Sequence, residues 1–494
     1  MLRNRLFGPL YLLSILSILL LTLIIAPELA FNSVVNRNNL LSLEQKIAAA
    51  YAQSSANNID KSYEVFGDPI NISNNPRDSV YSQVATYKNN TYVVWEEEIA
   101  PDTTTTTING ESSSRGSTNY DIFFKKSTDG GLTFSKAINI SYNAGFSQHP
   151  QIAVSGSNVY LAWTDDTSPN KEILFRMSSD EGSSFGRTIK LSDGVGESYN
   201  QEISAYGNNV YVVWENKYSN TNHVGDTSTT NKMVINNGIG DASHAGDKNA
   251  ISNFEDRILF KASTDGGISF KNEKIITTRV GEVAQMYPKI AASGNDVYLT
   301  WSLGMLTSRV QDRISGYQID GIDQEQGIFF TKSSDRGESF TNIVKVNSRA
   351  SHAGESQIAA SGNKVYIVWS GNSDNLVPND LFFIKSTDNG NNFTTESSLS
   401  KKSSLNAELA VNGNDVYIIW QDFLRPNNQE ILIKKSSDGG ETFTDTSTNI
   451  SNNKGTSECP SISISQNVIY TLWEDDTPGN HEIYFARSYN DILS

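Results

Sequence analysis

The fold is decided by a stretch that recurs along the chain, and one copy of it is QIAVSGSNVYLAW, residues 151–163. Two short runs of β-branched and aromatic residues flank a Gly/Asn turn, a pattern that predicts two antiparallel strands. The second strand ends in tryptophan. All seven tryptophans of the chain end such a strand: Trp95, Trp163, Trp214, Trp301, Trp369, Trp420 and Trp473. Seven copies in one chain indicate a repeat architecture.

A second motif, Ser-x-Asp-x-Gly-x-x-Phe, follows six of the seven tryptophan strands, each time after another apolar strand. An aspartate can accept hydrogen bonds from the backbone N–H groups ahead of it, and glycine allows the positive φ that a tight turn needs. We expect the phenylalanine to return to the core and pin the turn. The aspartates are therefore predicted to be structural: Asp129, Asp180, Asp265, Asp335, Asp388 and Asp438.

The spacing of the two motifs shows where the insertions lie. The distance from each aspartate to the next tryptophan is nearly constant, whereas the distance from tryptophan to aspartate varies from 17 residues after Trp163 to 51 after Trp214. The long insertions are residues 96–120, 215–256 and 302–326, all predicted on one face. Four antiparallel strands in a unit of about 50 residues are typical of a propeller blade. We expect an all-β, seven-bladed β-propeller.

Ring closure is predicted from the two ends of the repeat region. The seventh copy has Asn490 where the aspartate should stand, so it lacks an outer strand. Residues 66–73, FGDPINIS, resemble residues 134–141, FSKAINIS, which follow the first aspartate motif. We expect the N-terminal strand to complete the last blade, because closure removes two exposed sheet edges.

The first 60 residues differ from the rest. Arg3 and Arg5 precede an apolar run to about Ala26, which predicts a signal peptide or an uncleaved membrane anchor in residues 1–30. Residues 31–60 are interpreted as a tether and residues 61–494 as the propeller. The protein is expected to be exported, extracellular or at the cell surface, with membrane contact only through this N-terminal segment.

Composition excludes several classes of function. Acidic residues outnumber basic ones, 55 to 39, and a net charge of −16 tells against nucleic-acid binding. A single cysteine, Cys459, excludes an intrachain disulfide and a Cys-rich zinc site. The five histidines, among them His149 and His481, are placed in loops of the upper face without His-x-x-x-His spacing. The acidic pairs at 165–166 and 475–476 are interpreted as solvated turns, so we expect no metal and no cofactor.

The repeated turns resemble the Asp boxes, or BNR repeats, of sialidases (neuraminidases) and related propellers, over residues 62–494. The resemblance implies that the turns are structural and lie on the face opposite the ligand site. Sialidases are typically six-bladed and carry a Phe/Tyr-Arg-Ile-Pro motif and three carboxylate-binding arginines. This chain counts seven blades and has no such tetrapeptide. Only Arg77, Arg279 and Arg349, placed in loops leading into inner strands, could substitute for the arginines, so no sialidase activity is expected.

The start of the inner strands carries a polar ring, on the strand parity opposite the apolar residues. The candidate ligand-binding residues are Tyr81, Gln83, His149, Gln151, Asn200, Glu202, Tyr287, Lys289, Gln357 and Glu408, and the ring also includes Glu355, Asn406, Cys459 and Ser461. Such groups suit a sugar or a peptide, or they line a water-filled channel. Glu202 and Glu408 belong to blades three and six, which tells against the separation of roughly 5–10 Å that glycoside hydrolysis needs.

These patterns favour an exported cell-surface propeller that binds glycans or proteins on its upper face without catalysis. A sialidase-like (exo-α-sialidase) or other glycoside hydrolase with a divergent site is the first alternative. An extracytoplasmic assembly or scaffold factor is the second.

Overall fold

The computed structural model describes residues 66–99, 119–219, 254–280, 287–303, 327–348, 353–371, 380–400, 404–425 and 428–488. All secondary-structure elements within these ranges are β-strands, and they form seven four-stranded antiparallel sheets. The predicted seven-bladed propeller is confirmed. The predicted signal or anchor and the tether, residues 1–60, lie outside the described residues. Among the described residues, no helix is long and apolar enough to cross a membrane.

The first four blades follow the chain from the inner to the outer strand. Blade 1 contains β2 (Ser79–Tyr87), β3 (Asn90–Ile99), β4 (Asn119–Ser127) and β5 (Ile138–Asn139); blade 2 contains β6 (Ser147–Ser155), β7 (Asn158–Asp165), β8 (Glu172–Ser178) and β9 (Ile189–Lys190). Blade 3 contains β10 (Glu197–Tyr206), β11 (Asn209–Ser219), β12 (Phe254–Ser263) and β13 (Lys274–Val280); blade 4 contains β14 (Lys289–Ser293), β15 (Asp296–Leu303), β16 (Gly327–Ser333) and β17 (Val344–Lys345).

The last three blades repeat the pattern, and the seventh takes its outer strand from the other end of the chain. Blade 5 contains β18 (Ala353–Ser361), β19 (Lys364–Gly371), β20 (Asp380–Ser386) and β21 (Ser397–Ser400). Blade 6 contains β22 (Ser404–Asn412), β23 (Asp415–Arg425), β24 (Asn428–Ser436) and β25 (Thr448–Asn449). Blade 7 contains β26 (Ser457–Ser465), β27 (Val468–Asp475), β28 (Glu482–Arg487) and β1 (Ile70–Asn71).

The pairing of β1 with β28 closes the ring as predicted. Ile70 lies opposite Phe485, and the backbone N–H of Ile72 donates to the carbonyl of Ile483 at 2.9 Å. Phe66 packs on the cluster between blades 6 and 7, which contains Ile433. This segment therefore supplies the last blade with both its outer strand and a core side chain.

The tryptophan side chains hold neighbouring blades together. Each is at most 4% exposed, and each belongs to one of seven hydrophobic clusters that fill the seven blade interfaces. Trp163, for example, packs with Phe124 of blade 1, and Trp95 packs with Leu472 of blade 7. The recurring tryptophan is thus the residue through which each blade buries apolar surface against the preceding blade.

The six Ser-x-Asp-x-Gly-x-x-Phe motifs, here called the aspartate turns, form the predicted self-closing turn. In blade 2, the hydroxyl of Ser178 donates to Asp180 at 2.6 Å, and the N–H and hydroxyl of Ser184 donate to the same carboxylate at 2.9 and 2.6 Å. Phe185 packs edge-on against Phe124 of the preceding blade, with ring centroids 5.0 Å apart. The phenylalanine therefore pins two blades together as well as its own turn.

The aspartate turns and the Gly/Asn turns lie at the same end of the propeller, since the N–H of Glu181 donates to the carbonyl of Ser157 at 2.9 Å. This end is called the aspartate face and the opposite end the upper face. On the upper face, β3 continues to Ile99 and β11 to Ser219, so the predicted loops at 96–120 and 215–256 begin as strand. There β3 pairs with β4 as far as Ile99 and Asn119, and β11 pairs with β12 as far as Ser219 and Phe254. Most of each insertion lies outside the described residues.

Candidate ligand site in the central cavity

A cavity of about 550 Å³ lies where the inner strands begin, and residues from all seven blades line it. Its lining includes all ten residues predicted from the polar ring: Tyr81, Gln83, His149, Gln151, Asn200, Glu202, Tyr287, Lys289, Gln357 and Glu408. The structure thus brings the predicted residues together. Their role in binding a ligand stays a prediction.

Strict strand alternation does not explain the lining, because most inner strands are bulged. The pairing of β2 with β3 shifts between Val80 and Gln83, and Tyr81 within the shift has a φ of 52°. Corresponding left-handed residues occur in five more blades: His149, Asn200, Tyr287, Asn406 and Cys459. A bulge adds a residue to one strand and turns its side chain. As a result Tyr81, Ser82 and Gln83 all line the cavity, where alternation predicted only two of the three.

In three blades the side chain that follows the tryptophan holds the bulge of the next blade, a contact that the sequence analysis missed. Glu474 accepts a hydrogen bond from the N–H of Tyr81 at 2.7 Å, across the interface between blades 7 and 1. Glu96 accepts one from the N–H of His149. Gln421 accepts one from the N–H of Cys459 at 3.3 Å. The available signal was a large polar residue directly after a buried tryptophan strand. These contacts offset the strain of a left-handed backbone at non-glycine residues.

Burial controls the charge of the glutamates that follow the tryptophans. It raises the pKa of Glu96 to about 8 and that of Glu474 to about 7, and the hydrogen bonds from His149 and Tyr81 offset only part of the effect. In blade 3, the hydroxyl of Tyr199 donates to Glu215 at 3.2 Å. The wall behind the cavity therefore contains carboxyl groups that hold a proton near neutral pH.

The floor of the cavity contains an ion pair and a second carboxyl group. Lys289 donates to Glu202 at 2.5 Å, and the side-chain amide of Gln357 donates to Glu408 at 2.6 Å. Burial raises the pKa of Glu408 to about 8. Burial lowers the pKa of Lys289, but Glu202, Glu355 and Glu408 together outweigh that effect and raise it overall. Glu202 and Glu408 also interact electrostatically with each other, so they share one cavity despite belonging to blades three and six.

The cavity opening is formed by aromatic and polar side chains. The rings of Tyr81 and His149 lie 4.5 Å apart. Burial, with the nearby Lys171 and Lys289, lowers the pKa of His149 to about 4, so this imidazole is neutral at pH 7.

His149 belongs to β6 and not to a loop as predicted, because the inner strand extends through the bulge. His481 lies between β27 and β28, while His223, His244 and His352 are outside the described residues.

The structure of the two acidic pairs differs from the prediction. Asp165 is 3% exposed and Asp475 is fully buried, so they are not solvated turns. Asp165 accepts hydrogen bonds from Asn143 at 2.5 Å and Ser147 at 2.8 Å, and Asp475 has the equivalent partners in blade 7. Their oxygens are thus used within the turn. Within the part of the chain that the structure describes, no group of three His, Cys, Asp or Glu side chains could hold a metal.

The three arginines predicted as a substitute cluster are not brought together within the described residues. Arg77 pairs with Glu98 at 3.4 Å and does not line the cavity. Arg279 lies in the outer strand β13, which corrects its predicted place in a loop; β13 extends further along β12 than the short outer strands do. Arg349 is outside the described residues. Among the described lining residues, the cationic side chains are Lys171 and Lys289.

No protein-family model and no curated protein matches the chain. Several solved structures do. A Trypanosoma rangeli sialidase mutant displaying trans-sialidase activity is 10% identical with a TM-score of 0.42, and the match covers 87% of this chain and 58% of that one. A protein of unknown function from Dyadobacter fermentans is 12% identical with a TM-score of 0.47, covering 87% and 99%.

An α-L-arabinofuranosidase mutant from Fusarium graminearum, in complex with an iminosugar inhibitor, is 12% identical with a TM-score of 0.43. That match covers 69% of this chain and 92% of the enzyme. The structural neighbours therefore include sialidase and glycoside hydrolase propellers. The chain spans less than two thirds of the length of the trypanosomal sialidases. At this level of identity the likeness assigns no activity to the chain.

Proposed function

We propose that this protein is an exported cell-surface propeller that binds a glycan in its central cavity without hydrolysing it. The observation that carries the proposal is the cavity of about 550 Å³, to which every blade contributes side chains that are mostly polar or aromatic. A volume of this size suits a small saccharide. The proposal includes export through the N-terminal segment and membership of the Asp-box propellers related to sialidases.

The lining has the chemistry that a sugar needs. Sugar hydroxyls both donate and accept hydrogen bonds, and Asn200, Gln151 and Glu202 offer both kinds of partner from neighbouring blades. Tyr81 and Tyr287 supply aromatic surface for the apolar face of a sugar ring. The backbone hydrogen bonds that Glu474 and Glu96 accept fix the bulges from behind, so the site is formed before a ligand arrives.

One observation favours a glycoside hydrolase as the second candidate. Burial raises the pKa of Glu408 to about 8, so this carboxyl is protonated at neutral pH. Burial also raises the pKa of Glu202, and the ion pair with Lys289 offsets part of that effect. A proton-bearing carboxyl that shares a cavity with a lysine-paired one is the kind of arrangement that acid-assisted glycoside cleavage uses. The described lining offers no arginine, so a sialic-acid carboxylate is a poor substrate for this site.

The two candidates are separated by one set of measurements on the full chain. Glycan-array screening followed by calorimetry should find a saccharide whose affinity falls at least about tenfold in Asn200→Ala, because that variant removes a hydrogen-bonding side chain from the cavity. Asn342→Ala, on an exposed residue near β17, is the matched control and should bind normally. A panel of fluorogenic glycosides that includes a sialoside should release no fluorophore. Release that disappears in Glu408→Gln would replace the binding function with hydrolysis.

A further inference from the structure

One buried position of the tryptophan strands differs in blade 1. The residue directly before the recurring tyrosine is Thr91 in this blade and a valine or an isoleucine in the other six: Val159, Val210, Val297, Val365, Val416 and Ile469. All seven side chains are fully buried. The register is the same as well, since Thr91 lies opposite Thr86 of β2 and Val210 lies opposite Ala205 of β10. The repeat therefore supplies six internal comparisons for this one threonine.

The hydroxyl of Thr91 contributes nothing to the described fold. It makes no hydrogen bond with any described residue. Buried hydroxyl groups in proteins are nearly always hydrogen-bonded, and an unpaired one destabilises the folded state. Valine has the shape of threonine with a methyl group in place of the hydroxyl, and six blades carry such an apolar side chain here. The presence of threonine therefore requires an explanation other than packing.

Two residues before Thr91 lies Asn89, in the turn between β2 and β3. Asn-x-Ser/Thr, here called the acceptor triad, is the sequence at which N-linked glycans are attached in exported proteins. The side chain of Asn89 is exposed and has no hydrogen-bond partner among the described residues. Its backbone carbonyl accepts a hydrogen bond from the N–H of Gly130 at 2.8 Å, in the aspartate turn of blade 1. Asn89 therefore points its free amide to solvent on the aspartate face.

The turn itself explains the asparagine but not the threonine. Six of the seven blades have an asparagine at this turn position: Asn89, Asn208, Asn295, Asn363, Asn414 and Asn467. Asparagine favours such tight turns. In the other five blades the residue two positions later is valine or isoleucine, so the acceptor triad is incomplete. Within this repeat, the hydroxyl of Thr91 thus completes an acceptor triad and serves no contact that the structure describes.

The other four acceptor triads of the chain are used by the fold. The amide of Asn139 and the serine of its triad both donate to Asp121, at 2.6 and 2.9 Å. In the equivalent triads that begin at Asn71 and Asn449, the serine likewise donates to a carboxylate. Asn392 donates to the carboxylate of its own aspartate turn at 2.7 Å. Structural contacts account for these triads, which leaves the triad at Asn89 as the one they do not explain.

We propose that Asn89 carries an N-linked glycan, and that Thr91 is present because the glycosylating enzyme reads the acceptor triad. This inference rests on the export that forms part of the proposed function. The sugar donor is an oligosaccharide carried on a lipid phosphate. The amide nitrogen of Asn89 bonds to the anomeric carbon and gives up one proton, while the bond from that carbon to the phosphate oxygen breaks and the lipid phosphate leaves. Since Thr91 is fully buried in the fold, the triad is read before blade 1 has folded.

The test is mass spectrometry of the full chain isolated from the cells that make it. The chymotryptic peptide 88–92 should carry the mass of a glycan, and both Asn89→Gln and Thr91→Val should abolish it. Thr91→Ser keeps the acceptor triad, so this matched control should keep the glycan. In chains that also carry Asn89→Gln, Thr91→Val should raise the melting temperature by about 1–3 °C, because it removes the unpaired hydroxyl.

Blade 3 offers the converse change. Asn208 is exposed, and its carbonyl accepts a hydrogen bond from Gly266 at 2.9 Å, as that of Asn89 does from Gly130. Val210→Thr completes an acceptor triad there and should add a second glycan, on Asn208. In chains that also carry Asn208→Gln, the same change should lower the melting temperature by about 1–3 °C, because it buries a new hydroxyl.

Each contrary outcome has a definite meaning, with export scored on the same cells by treating them intact with protease. An exported chain with an unmodified Asn89 would overturn the inference and leave the proposed function standing. A glycan on Asn89 that survives Thr91→Val would overturn the role given to Thr91. A chain that stays inside the cell and unmodified would overturn the proposed export together with the inference.

Discussion

The two ends of the propeller are built on opposite principles. On the aspartate face, six turns repeat the same residues and the same hydrogen bonds, as Asp180 and Asp438 illustrate with their serine, backbone and hydroxyl donors. At the cavity, the same backbone bulge recurs, but it presents a tyrosine, a histidine, an asparagine or a cysteine according to the blade. Identical chemistry in every blade serves the ring as a whole. Different chemistry on a repeated backbone creates one asymmetric site.

The carboxyl groups of the two ends show the difference most clearly. In the aspartate turns, hydrogen bonds from Ser269 hold the pKa of Asp265 at about 2, although the group is exposed. Behind the cavity, burial raises the pKa of Glu96 to about 8. The aspartates are stabilised as anions by donors that converge on them. The glutamates in the blade interface are weaker acids, because burial disfavours their charged form.

The largest effect is expected where the two ends of the chain meet. Deleting residues 62–74 removes β1 and exposes the edge of β28, so the melting temperature should fall by about 5 °C or more, with association of the exposed edges. Differential scanning calorimetry and gel filtration measure both. Two point variants sharpen the test. Ile72→Ala removes a side chain that is 4% exposed, and Ile70→Ala removes one that is 41% exposed. Equal melting of the deletion and the unaltered chain would show that closure contributes nothing.

The next effect separates backbone conformation from blade packing on the aspartate face. Gly156 and Gly182 both lie in blade 2 with φ of 64° and 72°. A Cβ at Gly156 would meet nothing within 4 Å, whereas one at Gly182 would lie 2.8 Å from the ring of Phe124. Gly156→Ala should cost about 1 kcal/mol, from backbone strain alone, and Gly182→Ala about 3 kcal/mol. Urea unfolding measures both, and equal losses would mean that the blades yield at this contact.

A third effect, which depends on pH, tests the opposite acidities of the two ends. A raised carboxyl pKa stabilises the folded state below the unfolded value and loses that contribution as the pH rises through the folded value. The decline for each group runs from its unfolded pKa of 4.5 to its folded pKa, which is about 7 for Glu474 and about 8 for Glu96. Between pH 6.5 and 8 the free energy of unfolding should therefore fall by up to about 1.4 kcal/mol per pH unit through Glu96, with Glu474 adding to the fall only below about pH 7, and it should level off above pH 8. This window avoids His149, whose lowered pKa changes stability between pH 4 and 6.5.

Two variants assign the slopes to the two ends. Glu96→Gln should flatten the decline between pH 6.5 and 8. Asp265→Ala should leave that decline intact. It should instead remove part of the stability that the unaltered chain loses below about pH 4, because the depressed pKa of Asp265 stabilises the folded state only where its carboxylate is ionised. Melting curves across pH measure each effect. A decline that is the same in Glu96→Gln and the unaltered chain would contradict the assignment.

Most of the architecture followed from local patterns. Seven tryptophan strands, six aspartate turns and the likeness of residues 66–73 to residues 134–141 were enough to predict seven blades and their closure. Such predictions succeed because strand, turn and core residues act within one blade or on its immediate neighbour. The polar ring was predicted for the same reason, since Tyr81 or Gln151 holds its position relative to its own strand.

The sequence by itself determined the repeat, the number of blades and the residues that line the centre. Only the tertiary structure decided how those residues act on one another, because the ring sets side by side residues that are up to several hundred positions apart. Glu474 supports Tyr81 from the other end of the chain, and Lys289 pairs with Glu202. Charge, burial and pKa depend on such distances between blades, and no local pattern of residues contains them.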